Sequence, residues 1–186
     1  MYSPAAMADA LPRPDCCVVL VGLMGAGKST VGRRLAKRLG LPFVDSDDAI
    51  EEAADHSIAE MFERFGEASF RDGERRVIQR LVGGEPKVIA TGGGAFIDPA
   101  TRALILDKCI AVWLDADIET LAERVTRRNH RPLLKGKEPL PFLRELAAVR
   151  NPVYAEAHLR VPSGTAPHEK AVDRILEALA SREGRA

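Results

Sequence analysis

Aromatic residues are scarce in this chain: Phe, Trp and Tyr make up 5% of its 186 residues, with a single Trp and two Tyr. That scarcity removes the stacking rings on which a broad single-stranded nucleic-acid face depends. A surplus of charge is missing too, since 27 Lys and Arg stand against 27 Asp and Glu, so neither nucleic acid nor a membrane surface is an expected partner. No apolar run approaches the about 18 residues of a membrane span. Residues 1–14 hold Asp9 and three prolines but no apolar stretch, and they are expected to be a flexible tail rather than a signal peptide. Cysteine is limited to Cys16, Cys17 and Cys109, without C-x-x-C or Cys/His spacing, which points to a reduced, cytoplasmic setting. With no internal repeat and no extra apolar face, a single domain over residues 15–186 and a monomer are expected, with a small molecule as partner.

What the chain does have is Gly22-Leu23-Met24-Gly25-Ala26-Gly27-Lys28-Ser29-Thr30, which fits the phosphate-binding P-loop pattern G-x-x-x-x-G-K-[ST]. Its flanks fit as well. Cys16 to Val21 is a short apolar, β-branched run that reads as a buried strand, and Val31 to Leu39 carries apolar residues at helical spacing. Glycines at 22, 25 and 27 allow the backbone N–H groups to approach phosphate oxygens at a helix N-terminus, where unpaired donors and the helix dipole favour an anion. Gly25, Ala26, Gly27, Lys28, Ser29 and Thr30 are therefore the expected triphosphate cradle. Lys28 would reach the β- and γ-phosphates and the Ser29 hydroxyl would hold Mg²⁺.

Further along, Leu41 to Asp45 reads as a short strand entering the acidic cluster Asp45-Ser46-Asp47-Asp48. Ser57 to Glu60 is a capping box opening a short helix, and Gly66 separates it from a longer amphipathic helix over 67–82 that Gly73 weakens. Lys87 to Ala90 is a strand running into a second glycine loop, Thr91-Gly92-Gly93-Gly94-Ala95. A helix over 99–106, a strand over 109–114 and a helix over 118–127 follow. Residues 128–141 are polar, basic and of poor periodicity, the mark of a functional loop. Helix resumes over 142–149, a last strand covers 158–161 and a helix closes the chain over 169–181. Strands alternating with helices predict an α/β fold whose parallel sheet is covered on both faces, with ligands outside the carboxyl ends of its strands. Both glycine loops and the acidic cluster fall there.

The cradle alone does not separate a kinase from an ATPase or a nucleotide-gated switch. No N-K-x-D or T-K-x-D guanine-reading motif is present, and the strand ending at Ala90-Thr91 carries no carboxylate for Mg²⁺. Asp45 and Asp47 are the nearest acids. They are expected to face apart at the strand end, one towards Mg²⁺ and one towards a substrate hydroxyl, while Asp48 is expected to cap the following helix.

These pieces resemble the shikimate kinases. The P-loop, Asp45-x-Asp47, Phe70-Arg71, Thr91 to Ala95, Arg131-Pro132-Leu133-Leu134 and Arg150-x-Pro152-x-Tyr154 occur in that family's order and spacing over about 16–181. The resemblance implies a three-layer α/β/α P-loop kinase fold, similar to nucleoside monophosphate kinases, with strand order 2-3-1-4-5 and a lid over about 128–141. It implies ATP-dependent phosphorylation of the shikimate 3-hydroxyl, a step towards chorismate and the aromatic amino acids. Lys28, Asp47 and Arg131 would be catalytic, Ser29 and Asp45 would hold Mg²⁺, and Asp47, Arg71, Gly92, Gly93, Gly94 and Arg150 would bind shikimate. Arg124, with Arg131, would contact the nucleotide; Arg127 and Arg128 compete with Arg124 for adenine, opposite the loop over 163–167. Guanidinium groups suit the acceptor's carboxylate, and backbone N–H groups with one carboxylate suit its hydroxyls. A related kinase of another hydroxy acid such as gluconate, or of a nucleoside monophosphate, and a non-catalytic ATP-binding module remain open alternatives.

Overall fold

The computed structural model describes residues 14–127 and 136–183. Strands β1 (Val18–Val21), β2 (Phe43–Asp45), β3 (Val88–Ala90), β4 (Ile110–Asp115) and β5 (Leu159–Pro162) form one sheet in the order β2-β3-β1-β4-β5. All four pairings are parallel, with Val18 in register with both Val88 and Ile110. The order is the expected one. Every residue of β1 is buried, as an all-apolar strand must be when helices cover both faces of a parallel sheet.

Seven α-helices occur among the described residues: α1 (Lys28–Leu39), α2 (Ser46–Ala54), α3 (Ile58–Val82), α4 (Pro99–Lys108), α5 (Ile118–Arg127), α6 (Pro139–Tyr154) and α7 (His168–Glu183). A 3₁₀ turn spans Ala95–Ile97. Helix α1 packs on β1, β2 and β3 and lies beside α7, while α4 packs on β4 and α3, and α5 on α6. The helices enclose a main core built on β1 and β4, with Leu20, Leu35, Ile105, Leu114 and Ile175 fully buried. A smaller core of Ile50, Met61, Phe70 and Val77 joins α2 to α3, with the Phe62 and Phe70 rings 4.5 Å apart. That small core fixes the helix segment on which Arg71 sits.

Several local expectations are corrected. Strand β2 ends at Asp45, and its side chain accepts a hydrogen bond from the Asp47 N–H at 3.1 Å. Asp45, not Asp48, is therefore the N-cap of α2. Asp47 lies in the first helical turn rather than on an extended strand. Residues two apart on a strand share one face; it is the switch from strand to helix between them that separates Asp45 from Asp47. The two helices expected on either side of Gly66 are both present and meet at a kink within α3, where Gly66 is non-helical at φ 77° and ψ 170°. The capping box of Ser57 and Glu60 is present. Helix α6 starts at Pro139 and runs to Tyr154, so Arg150 and Tyr154 are helical residues one turn apart rather than part of a following loop.

Two helical glycines predict opposite outcomes for the same substitution. A Cβ on Gly32 would lie 2.6 Å from the Phe43 ring and 3.3 Å from Leu20, whereas one on Gly73 would meet nothing within 4 Å. Overpacking against the sheet outweighs the gain of about 1 kcal/mol that alanine brings to a helix. Urea unfolding is expected to show Gly32→Ala less stable by about 1 kcal/mol and Gly73→Ala more stable by about 0.5–1 kcal/mol.

Candidate active site

Strand β1 lies between β3 and β4, so the chain leaving it enters the crevice at the point where the strand order reverses. There the loop from Gly22 to Gly27 closes on α1, with Gly27 at φ 91° in the left-handed region. Positive φ at Gly27 turns the chain directly into the helix, so the loop leads onto a helix N-terminus, where N–H groups and the helix dipole favour an anion. The Lys28 ammonium donates to Gly22 O at 2.8 Å and Leu23 O at 2.9 Å. It is thereby held across the mouth of its own loop. The Ser29 hydroxyl donates to Asp45 Oδ2 at 2.6 Å, bringing the two expected metal-holding residues together.

The second glycine loop follows β3. Thr91 anchors it to the first, its N–H and hydroxyl both donating to Leu20 O. Beyond Thr91, three consecutive glycines run close against charged side-chain ends. A Cβ on Gly92 would lie 2.6 Å from Asp47 Oδ1, one on Gly93 would lie 3.3 Å from Arg150 Nη1, and one on Gly94 would lie 2.8 Å from the Arg71 guanidinium carbon. None of the three glycines has a positive φ. Close approach of the Asp47 and Arg71 side-chain ends, not backbone conformation, is what a side chain at Gly92 or Gly94 would have to displace, while Arg150 would have to give slightly at Gly93.

The charges around this loop are mutually constrained. Arg71 donates to Glu74 at 2.6 Å, and Glu74 is only 2% exposed. Burial pushes the Glu74 carboxyl up while the Arg71 hydrogen bond pulls it down. Asp47 is raised to about 6, first by burial and then by the neighbouring Asp45 and Glu74 charges, with Lys28 opposing them. Glu74 could have been found in the sequence as the (i, i+3) partner of Arg71 on a helix.

A crevice of about 340 Å³ joins these parts, lined by Gly25, Gly27, Lys28, Ser29, Thr30, Asp45, Asp47, Gly92, Gly93 and Arg124, together with Met24, Thr91, Arg127 and His168. Ala26, Arg71, Gly94 and Arg150 are not among its lining residues. The last three meet it through the glycine loop. Arg124 donates to Gly25 O at 3.1 Å and Gly164 O at 2.6 Å, so it ties the P-loop to the loop after β5. His168, which sequence reasoning missed, sits at the start of α7 with its ring 2.8 Å from where a Gly27 side chain would begin. No local pattern announces it, because the sheet order alone brings α7 beside the P-loop. Arg128 and Arg131, with most of the expected lid, lie outside the described residues.

A P-loop at the switch point of a parallel sheet, facing a separate cluster of anion-matching and hydroxyl-matching groups, places the protein among the P-loop kinases. The family model for shikimate kinase matches residues 24–180. The chain is 57% identical over 171 residues to a shikimate kinase of Caulobacter vibrioides, covering 92% of this chain and 86% of that one. It is 58% identical over 162 residues to one of Zymomonas mobilis, covering 87% and 92% respectively. Its structure matches shikimate kinase from Acinetobacter baumannii in complex with shikimate at a TM-score of 0.86 and 37% identity, over 91% of this chain and 96% of that one. The chain belongs to the shikimate kinase family. A gluconokinase from Sinorhizobium meliloti, at 21% identity and TM-score 0.65 over 91% of this chain and 94% of that one, shares the fold.

The raised Asp47 carboxyl has a consequence for stability. With a pKa of about 6 when folded and about 3.9 when unfolded, it binds more protons in the native state between those values, so stability falls as pH rises through that window. Asp47→Asn removes the cost of the charge. Thermal unfolding near pH 8 is expected to show it more stable by about 1–2 kcal/mol, with the gap closing towards about pH 4.

Proposed function

We propose that this chain transfers the γ-phosphoryl group of ATP to the 3-hydroxyl of shikimate, giving shikimate 3-phosphate and ADP. The observation that carries the reading is the close approach of Asp47, Arg150 and Arg71 to the loop of Gly92, Gly93 and Gly94, whose first two glycines line one crevice with Lys28 and Asp47. Shikimate is a small ring with one carboxylate and three hydroxyls. Two guanidinium groups match the carboxylate, and a carboxylate acceptor with backbone donors matches the hydroxyls. The relative solved with shikimate bound supports this acceptor.

In this mechanism, loop N–H groups from Gly25 to Thr30 cradle the phosphates, and Lys28 turns from the carbonyls of Gly22 and Leu23 onto phosphate oxygens. Its charge stabilises what develops on the transferring group. The Ser29 hydroxyl and Asp45 carboxylate offer hard oxygen donors and already lie 2.6 Å apart. No group of three or more acidic, His or Cys side chains among the described residues could cage a metal. That donor set fits Mg²⁺, which binds through one or two protein oxygens together with substrate phosphates, and which supplies charge neutralisation when bound. Asp47, in its ionised form, orients the attacking hydroxyl and accepts its proton as transfer proceeds. Arg124, Arg127 and His168 flank the adenosine end. Arg131, outside the described residues, is the further cation of this proposal. The cytoplasm and a monomeric state remain part of the reading.

ADP release with MgATP, compared across shikimate, gluconate, AMP and no acceptor, tests the proposal. Turnover is expected with shikimate only; ATP binding without acceptor-dependent turnover would favour a nucleotide-gated module instead. Lys28→Ala is expected to lower kcat by about 100-fold or more with the fold intact. Arg71→Ala is expected to raise the shikimate KM about 10–100-fold while the ATP KM stays within about twofold. Because Asp47 acts ionised, kcat/KM for shikimate is expected to fall as pH drops below about 6.

A further inference from the structure

The three carbonyls of the glycine loop are held in two different ways. Gly92 O accepts from the Ala95 N–H and Gly94 O from the Ile97 N–H, both local bonds of the 3₁₀ turn. Gly93 O, between them, accepts from the Tyr154 hydroxyl, 61 residues further along the chain. Tyr154 is the last residue of α6 and is fully buried. Its ring packs on Phe96 and Trp113, with centroids 6.5 Å and 6.1 Å away. Those two aromatic contacts fix the ring and so fix where the hydroxyl points. Arg150 lies one helical turn earlier on the same face, and its Nη1 is the atom a Gly93 side chain would meet first. One helix end therefore supplies both a cation on one side of Gly93 and a hydrogen bond on its carbonyl.

We propose that Tyr154 is a positioning residue: its hydroxyl pins the Gly93–Gly94 peptide plane so that the Gly94 N–H is presented to the acceptor and Arg150 keeps its place over the loop. A trans peptide is planar, with its C=O and N–H pointing in opposite directions, so a carbonyl turned inwards to a buried phenol turns the partner N–H away from the core. Glycine peptides rotate more freely than any other, and a run of three of them has no side chain of its own to stop that rotation. Burial raises the phenol to about 12, with the Arg150 and Arg71 cations opposing it. The hydroxyl thus keeps its proton and remains a donor throughout the range in which the enzyme works.

The inference rests on the acceptor reading above, and its test separates the two. Tyr154→Phe keeps the ring and its packing and removes only the hydroxyl. The expected result is a shikimate KM raised about tenfold with the ATP KM within about twofold of the parent, together with amide hydrogen exchange at Ala95 and Ile97 about tenfold faster while β1 amides are unchanged. A hydroxyl that merely satisfies itself in the core would instead leave both KM values unchanged or move them together, and exchange would stay the same or rise throughout the chain; either result overturns the proposal. Absence of shikimate-dependent turnover in the parent enzyme would overturn the acceptor reading, and the exchange rates at Ala95 and Ile97 would still decide whether Tyr154 holds the loop.

Discussion

The backbone from Gly92 to Gly94 runs directly against the ends of the Asp47, Arg150 and Arg71 side chains, and much of the architecture around it follows from that close approach. Asp47 comes from the turn after β2, Arg71 from α3 and Arg150 from α6, three elements far apart in the chain. They meet only because β3, which delivers the loop, lies between β2 and β1 in the sheet. Thr91 then ties the loop to the end of β1 through Leu20 O, so the second glycine loop and the P-loop are fixed to one another across a single strand pairing.

Holding such charges near each other has a stability cost. Asp47 is pushed up to about 6 by burial and by its acidic neighbours, and Glu74 is buried with Arg71 as its counter-ion. Groups of this kind are expensive in a folded chain unless paired. The sheet and its main core supply the compensation, with β1 wholly buried and aliphatic side chains packed from both layers. The separate small core of Ile50, Met61, Phe70 and Val77 holds the lobe that carries Arg71.

The conformation of the P-loop was legible in the residues because its physics is local. Glycines that turn the chain, a lysine and a hydroxyl next to them and a helix N-terminus are all encoded within a few consecutive positions, and Gly27 at φ 91° leading into α1 is what that pattern required. The capping box at Ser57 and Glu60 was legible for the same reason. Asp48 as a cap was not the outcome, since the sequence Asp45-Ser46-Asp47-Asp48 offers three carboxylates and only the end of β2 decides which one meets a free N–H. Tyr154 stood in a recognisable pattern, yet its bond to Gly93 spans 61 residues and follows from where α6 packs.

The sequence by itself determined that this protein carries a P-loop between a strand and a helix, that its strands and helices alternate, and which charged and glycine residues are available at the strand ends. Those properties depend on hydrogen bonds, backbone sterics and hydrophobic period over short stretches. Only the tertiary structure decided that Asp47, Arg71 and Arg150 converge on one loop, that Glu74 restrains Arg71, and that Arg124 and His168 close around the P-loop. These contacts depend on strand order and on burial shared between distant elements, and no stretch of chain holds that information alone.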